Sequence, residues 1–189
     1  MIRRLSTLFA LTFMLLLTAS VAYGQSQRTF VSTTGSDANT ASLCSAANPC
    51  RSFGAALSVT NTNGEIIALT SGGYGAVTVN KGVQITAPTG VYAAITASSG
   101  DAITVNAPAG AVVVLRGLTL NSQGASIGIN ATAVGALHIE GCIVNGFLDT
   151  GIAVLLTANS SQIFIKDTIV RNNGYGTYIL RRRERSRLR

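Results

Sequence analysis

The sequence predicts an all-β protein folded as a parallel β-helix, and a repeated pattern is the first observation that points to it. Residues 115–121 (LRGLTLN) are echoed by residues 139–145 (IEGCIVN) and again by residues 165–171 (IKDTIVR). The copies thus begin at positions 115, 139 and 165, so the two offsets are nearly equal. A repeat of this length is typical of stacked coils, in which each unit buries its apolar face against its neighbours.

The second observation is that the aligned copies have similar residues at equivalent positions. Three columns contain aliphatic side chains alone: Val113, Leu137 and Ile163; Leu115, Ile139 and Ile165; and Leu120, Val144 and Val170. Equivalent residues of successive coils lie about 4.8 Å apart in such a fold, so these columns predict continuous inward ladders. An antiparallel β-sandwich would explain short strands but not these columns, and the pattern therefore favours the β-helix.

The chain opens with a pattern typical of a secretory signal peptide over residues 1–24. Arg3 and Arg4 precede an apolar run from residue 5 to residue 21, and small residues such as Ala22 and Gly24 follow. A membrane anchor is the alternative, but the run is short for a span of about 20 residues. We therefore expect a secreted, periplasmic or cell-envelope protein without a stable membrane anchor after cleavage.

Residues 25–62 are predicted to form an N-terminal cap made of a strand, a loop and a short helix. The loop contains Cys44 and Cys50, and in an exported protein two such close cysteines favour a disulfide. A metal site is the less favoured alternative, because no histidine or further cysteine lies nearby. Residues 51–60 (RSFGAALSVT) place Phe53, Ala56 and Leu57 on one helical face, which suits a lid over one end of the coil.

Residues 63–176 are predicted to form the rungs, because short apolar runs alternate there with Gly, Asn, Pro or Ser clusters. Residues 177–189 end in an Arg-rich tail that we expect to lie outside the fold. That tail is either a polyanion-binding segment or, as we favour, the product of a truncated or frame-shifted gene, because no second cap follows the last rung.

The net charge of +7 arises from the termini. Residues 181–189 contain six Arg and one Glu, whereas residues 25–180 contain six basic and six acidic residues. Because the folded body is neutral, we expect it to have no basic surface for nucleic acid.

Three stretches resemble a known family. Residues 29–37 (TFVSTTGSD), 48–57 (NPCRSFGAAL) and 139–145 are similar to segments of the secreted right-handed parallel β-helix proteins of the pectate-lyase-like superfamily. The resemblance covers about residues 28–176 and implies a right-handed coil. It implies little about activity, because the superfamily spans lyases, hydrolases, epimerases and adhesins.

The catalytic motifs of the family's lyases and hydrolases are missing from the sequence. The chain has no Trp, no Arg-x-Pro and no Asp-Asp pair, and its aspartates are scattered singly. Paired carboxylates for glycoside hydrolysis and a multi-Asp cage for calcium therefore have no support. We assign no catalytic residue, metal site or cofactor, and we lean against an enzymatic role for this chain.

A column of charged residues is the strongest candidate for a ligand groove. Arg116, Glu140 and Lys166 align, and His138 lies on the face opposite the inward ladder. The alternative is a charge ladder that supports the sheet, with His138 as an ordinary surface residue. We expect an exported β-helix protein that binds cell-surface or environmental polysaccharide. The alternatives are a fragment of a polysaccharide lyase or glycoside hydrolase and a non-catalytic adhesin or envelope module.

Overall fold

Short apolar strands joined by tight turns wind this chain into a parallel β-solenoid of about four turns. The structure is a computed structural model that describes residues 24–156 and 161–181. The predicted signal segment, apart from Gly24, and residues 182–189 of the Arg-rich tail lie outside the described residues. The prediction of an all-β parallel coil is confirmed.

Within the described residues the chain forms sixteen strands, one 3₁₀ helix at Asp37–Ser42 and one α-helix, α1, at Phe53–Val59. The strands are β1 Ser26–Val31, β2 Thr60–Ala68, β3 Gly72–Gly73, β4 Val77–Val79, β5 Val83–Thr86, β6 Ala93–Ala97, β7 Asp101–Asn106, β8 Val112–Arg116, β9 Leu118–Ser122, β10 Ile127–Ala133, β11 Ala136–Glu140, β12 Ile143–Asn145, β13 Thr150–Leu156, β14 Gln162–Lys166, β15 Ile169–Arg171 and β16 Tyr175–Arg181.

The strands form three parallel sheets that run along the solenoid. Sheet A has the order β1-β2-β5-β8-β11-β14, sheet B has the order β3-β6-β9-β12-β15, and sheet C has the order β4-β7-β10-β13-β16. Starting from β2, the chain visits the sheets in the order A, B, C and then returns to sheet A one rung further along. Each coil therefore contributes one strand to each sheet.

The predicted inward columns are confirmed by the strand register. Leu115 pairs with Ile139, and Ile139 pairs with Ile165, while β5 and β2 extend the same column through Ile85 and Ile66. The columns headed by Val113 and Leu120 also have the expected register. The side chains of Ile66, Ile85, Leu115 and Ile139 are fully buried, so this column runs through the core.

The coils differ in length, and the early ones depart from the regular period. Along the same column the step from Ile66 to Ile85 is shorter than the regular repeat, and the step from Ile85 to Leu115 is longer. The long step includes a loop of residues 87–92 between β5 and β6. At the equivalent corner of the next coil, Gly117 alone joins β8 to β9. This loop is the irregularity that shapes the candidate site.

At the first end of the solenoid, α1 packs against β1, β2 and β4. The Ser52 hydroxyl caps the helix by accepting from the Ala55 amide, and Phe53, Ala56 and Leu57 are the buried face that the sequence predicted. The helix begins two residues later than expected and ends at Val59, because Thr60 adopts an extended conformation and opens β2.

The loop before α1 is held by a disulfide and by a carboxylate. The predicted bridge between Cys44 and Cys50 is confirmed. Asp37 accepts hydrogen bonds from the amides of Arg51 and Ser52 at 2.8 and 2.9 Å and from the Ser52 hydroxyl at 2.9 Å. Partial burial raises the pKa of Asp37, but these hydrogen bonds and the Arg51 charge outweigh it and hold that pKa below its usual value.

The last strand extends beyond the expected end of the rungs at residue 176. Strand β16 pairs in parallel with β13 and includes residues 177–181, which the sequence placed in the tail. The pairing puts Thr177 beside Ile152 and Ile179 beside Val154, both of which are core positions. These two residues therefore continue the inward pattern that the neighbouring Arg run obscured in the sequence.

Candidate functional site

The candidate residues lie at the corner where sheet A turns into sheet B. Strands β8, β11 and β14 end at Arg116, Glu140 and Lys166, and each is followed by a residue with positive φ: Gly117 (70°), Gly141 (59°) and Asp167 (50°). This left-handed conformation suits Gly and is tolerated by Asp.

Backbone hydrogen bonds join these corners from rung to rung. The Gly117 amide donates to the Glu140 carbonyl, and the Gly141 amide donates to the Lys166 carbonyl, each at 2.9 Å. The corner is therefore a repeated tight turn, and it brings the three charged side chains into one column as predicted.

A concave groove forms because one coil does not turn tightly at this corner. The end of β5 at Thr86 and the loop residues 87–91 contribute to the groove lining, and the three later coils contribute their corner residues with Arg116, Glu140 and Lys166. The volume of the groove is about 530 Å³, which is within the range of ligand sites in proteins. The Val91 amide donates to the Pro88 carbonyl at 3.0 Å, so the loop itself contains a turn.

The charges in the groove are paired within it. Arg116 contacts Glu140 Oε2 through Nη2 at 2.8 Å and through Nε at 2.9 Å, and the two side chains are 48% and 30% exposed. Lys166 Nζ lies 3.9 Å from Asp167 Oδ2, with both side chains more than three-quarters exposed. Two cations and two carboxylates therefore line the groove, and its formal charge is zero. Lys166 is the more available cation, because its ion pair is long and open to water.

His138 lies on the face of sheet A opposite the inward ladder, as expected, and it pairs with Val114 on one side and Phe164 on the other. Its ring stacks on the Phe164 ring with centroids 4.5 Å apart and planes 16° from parallel. His138 Nδ1 is 3.8 Å from Glu140 Oε1, so the histidine touches the groove through Glu140 without lining it.

The stacking of Phe164 on His138 is the contact that the sequence analysis did not predict. The side chain of Phe164 is 45% exposed, although its neighbours Ile163 and Ile165 belong to the inward columns. The strand alternation was the available signal, because Phe164 must point outward when its neighbours point inward.

The cysteine at the corner between β11 and β12, Cys142, is buried and forms no disulfide. Burial raises its pKa to about 11 and outweighs the hydrogen bonds with backbone groups that favour the thiolate. The thiol is protonated at neutral pH and behaves as a small core side chain.

The described residues offer few other elements of a reactive site. Residues 24–156 and 161–181 contain no group of three or more His, Cys, Asp or Glu side chains placed to hold a metal ion. No helix in this part of the chain is long and apolar enough to cross a membrane. The candidate site is thus a charge-paired polar groove with an aromatic pair beside it.

Compared with protein-family models, with curated proteins and with solved structures, the chain has no significant match. The features that bear on its function are therefore the solenoid, the groove and the family resemblance of its sequence.

Proposed function

We propose that this chain is an exported right-handed parallel β-helix protein of the pectate-lyase-like kind, and that its corner groove binds polysaccharide without turning it over. The observation that carries the proposal is the column of Arg116, Glu140 and Lys166 along a groove of about 530 Å³. Such a surface offers hydrogen-bond donors and acceptors at the spacing of successive rungs, about 4.8 Å.

The charge balance of the groove bears on the class of ligand. Because Glu140 already neutralises Arg116, binding should depend mainly on hydrogen bonds to hydroxyl groups, with Lys166 available for an occasional carboxylate. A neutral or sparsely acidic polysaccharide suits this arrangement better than a densely charged polyanion.

Binding without turnover is favoured by the partners of the two carboxylates. Glu140 is held by Arg116, and Asp167 lies beside Lys166, so both carboxylates already have an ion-pair partner within the groove. One observation favours the alternative of a lyase or hydrolase fragment. His138 lies 3.8 Å from Glu140, and such a pair could orient an imidazole as a base.

Export is proposed from two features at the start of the chain. The signal-like residues 1–24 precede a loop that the Cys44–Cys50 disulfide closes, and such bridges persist in oxidising compartments. We further propose that α1 caps the first end of the coil, since its apolar face covers core residues there.

Affinity electrophoresis in gels that contain neutral or acidic polysaccharides tests the proposal. We expect retardation by at least one polysaccharide, and we expect Arg116→Ala and Lys166→Ala to weaken it by about tenfold, the equivalent of about 1.4 kcal/mol. Arg28→Ala is the matched control, because Arg28 forms a similar exposed ion pair with Glu65 outside the groove lining.

Retardation unchanged in both groove variants would remove the groove from the mechanism. Release of shortened or unsaturated sugar products by the wild-type protein would replace the binding proposal with the enzymatic one.

A further inference from the structure

The last coil, made of β14, β15 and β16, exposes an unusual amount of apolar surface. Of the twelve exposed large hydrophobic side chains in the described residues, seven belong to this coil: Phe164, Ile165, Ile169, Tyr175, Tyr178, Ile179 and Leu180. Ile165 is 40% and Ile179 is 49% exposed, whereas their column neighbours Ile139 and Val154 are buried. Such a concentration of exposed apolar side chains in one coil is typical of a contact surface.

The same coil also presents strand edges that no strand of residues 24–156 and 161–181 covers. In the described part of the chain, β14, β15 and β16 are the end strands of sheets A, B and C. Their outer edges offer amide and carbonyl groups that can pair with another strand. The opposite end differs, because α1 packs against β1, β2 and β4 there.

We propose that this end coil, β14–β16, associates with the end coil of a second copy of the chain about a twofold axis. The end of a solenoid is a ramp, because the chain climbs by one strand spacing per turn. We consider a twofold axis that is perpendicular to the solenoid axis and passes through β15. The rotation keeps the handedness of the coil. It also makes the ramps of the two copies rise in the same direction, so the distance between the copies is the same at all three strands. An axis through β14 or β16 would leave a step of one strand spacing at the junction.

The axis through β15 sets which strands meet. Strand β15 faces its own copy, while β14 faces the second copy's β16 and β16 faces the second copy's β14. The chains run in opposite directions across the junction, so the new pairs are antiparallel, an arrangement that isologous dimers readily form.

The side chains of β14 and β16 suit this pairing. Both strands alternate inward, outward and inward, with an aromatic residue at the outward position. In β14 the inward residues are Ile163 and Ile165, and the outward residue is Phe164. In β16 the inward residues are Thr177 and Ile179, and the outward residue is Tyr178. Because a slip of one residue would turn every side chain to the other face, the alternation restricts the register. The matching register brings the inward pairs together and sets Phe164 beside the second copy's Tyr178.

The size of the contact sets the expected strength. The coil extends from Gln162 to Arg181, and at about 35 Å² per interface residue it would bury about 700 Å² per copy, slightly below the ~800 Å² of a standard interface.

Charge opposes the contact, because each copy carries Arg171 near the axis and five Arg with one Glu in residues 182–189. Association in the micromolar range that strengthens with added salt is therefore expected.

Sedimentation velocity of the full mature chain, from about 1 to about 200 µM, tests the proposal together with two variants. Ile179→Lys puts a charge on an inward position of the edge strand β16, and Leu148→Lys is the control, since Leu148 is 70% exposed and lies outside the last coil. We expect dimers of the wild type and of the control, and monomers of Ile179→Lys with unchanged circular dichroism. A wild type that stays monomeric at all concentrations, or a dimer that survives Ile179→Lys, overturns the proposal.

A cysteine near the axis gives a second readout that does not depend on loss of association. Val170 is the inward residue of β15, so Val170→Cys should form a disulfide with its own copy under mild oxidation, whereas Leu148→Cys should not. Equal cross-linking of the two variants would contradict the twofold geometry. Lys166 and Asp167 belong both to the groove and to this end coil, but neither experiment uses a polysaccharide, so each proposal can fail without the other.

Discussion

Replacement of isoleucine by alanine, made singly at three positions of one inward column, should cost least in the last described coil. Ile85, Ile139 and Ile165 occupy equivalent positions in β5, β11 and β14. The first two side chains are fully buried between neighbouring rungs, whereas Ile165 is 40% exposed. Because residue type and column are the same, the difference in cost isolates the effect of the rung stacked above.

The magnitudes follow from burial. Truncation of Ile to Ala removes three carbons, worth about 2.4 kcal/mol of transfer free energy at about 0.8 kcal/mol each. At Ile85 and Ile139 the enclosed cavity adds to this loss, which gives about 3.5 kcal/mol in total. At Ile165, which is 40% exposed, the buried remainder leaves about 1.4 kcal/mol, with no enclosed cavity.

Urea unfolding monitored by circular dichroism measures these losses. Samples at about 1 µM keep the proposed end-to-end association weak, so that Ile165 stays uncovered. Variants whose m-values match the wild type allow a direct comparison of unfolding free energies. A cost for Ile165→Ala equal to that for Ile139→Ala would refute the stacking order. If the buried alanine variants do not fold, the corresponding valine variants should show the same ranking at about 1 kcal/mol.

Three further predictions concern backbone and titratable groups. Gly117→Ala should destabilise the fold more than Gly141→Ala, because a Cβ on Gly117 would lie 2.6 Å from the Ala87 carbonyl oxygen. A Cβ on Gly141 would meet open space, so that variant has only the positive-φ cost of about 1 kcal/mol. Equal melting temperatures of the two variants would contradict this prediction. As pH rises from about 9 to about 11, the Cys142 thiol should ionise first in the unfolded chain, so the unfolding free energy should fall by up to about 3 kcal/mol. The variant Cys142→Ala should lose that dependence. The depressed pKa of Asp37 adds stability above its unfolded value of about 3.9, and this contribution is lost as pH falls through the folded pKa. Asp37→Asn should therefore melt lower at neutral pH and show a weaker decline in acid, and an unchanged acid profile would argue against the role of Asp37.

The regular part of the fold was predictable because its turns are short and alike. Between β8 and β15 each sheet A strand is followed by one or two corner residues, so Leu115, Ile139 and Ile165 recur at nearly constant spacing. The earlier steps, a short one from Ile66 to Ile85 and a long one from Ile85 to Leu115, hide the same column from any search for a fixed period. Their lengths reflect loops, and loops can vary without changing the inward pattern.

The candidate site was predictable in its register but not in its contacts. Strand alignment alone places Arg116, Glu140 and Lys166 in one column. Alignment could not show that Glu140 pairs with Arg116 while Lys166 lies beside Asp167, because several side-chain conformations satisfy the same register. The position of the loop that lines one side of the groove could not be predicted either, because its sequence does not indicate which rungs it lies beside.

The most direct test of the stacked coil is a set of through-space NMR contacts between the backbones of β8, β11 and β14. The solenoid predicts contacts that increase in parallel, with Val113 near Leu137, Leu115 near Ile139, and Ile139 near Ile165. Contacts whose order reverses from one strand to the next would indicate antiparallel pairing and would contradict the account.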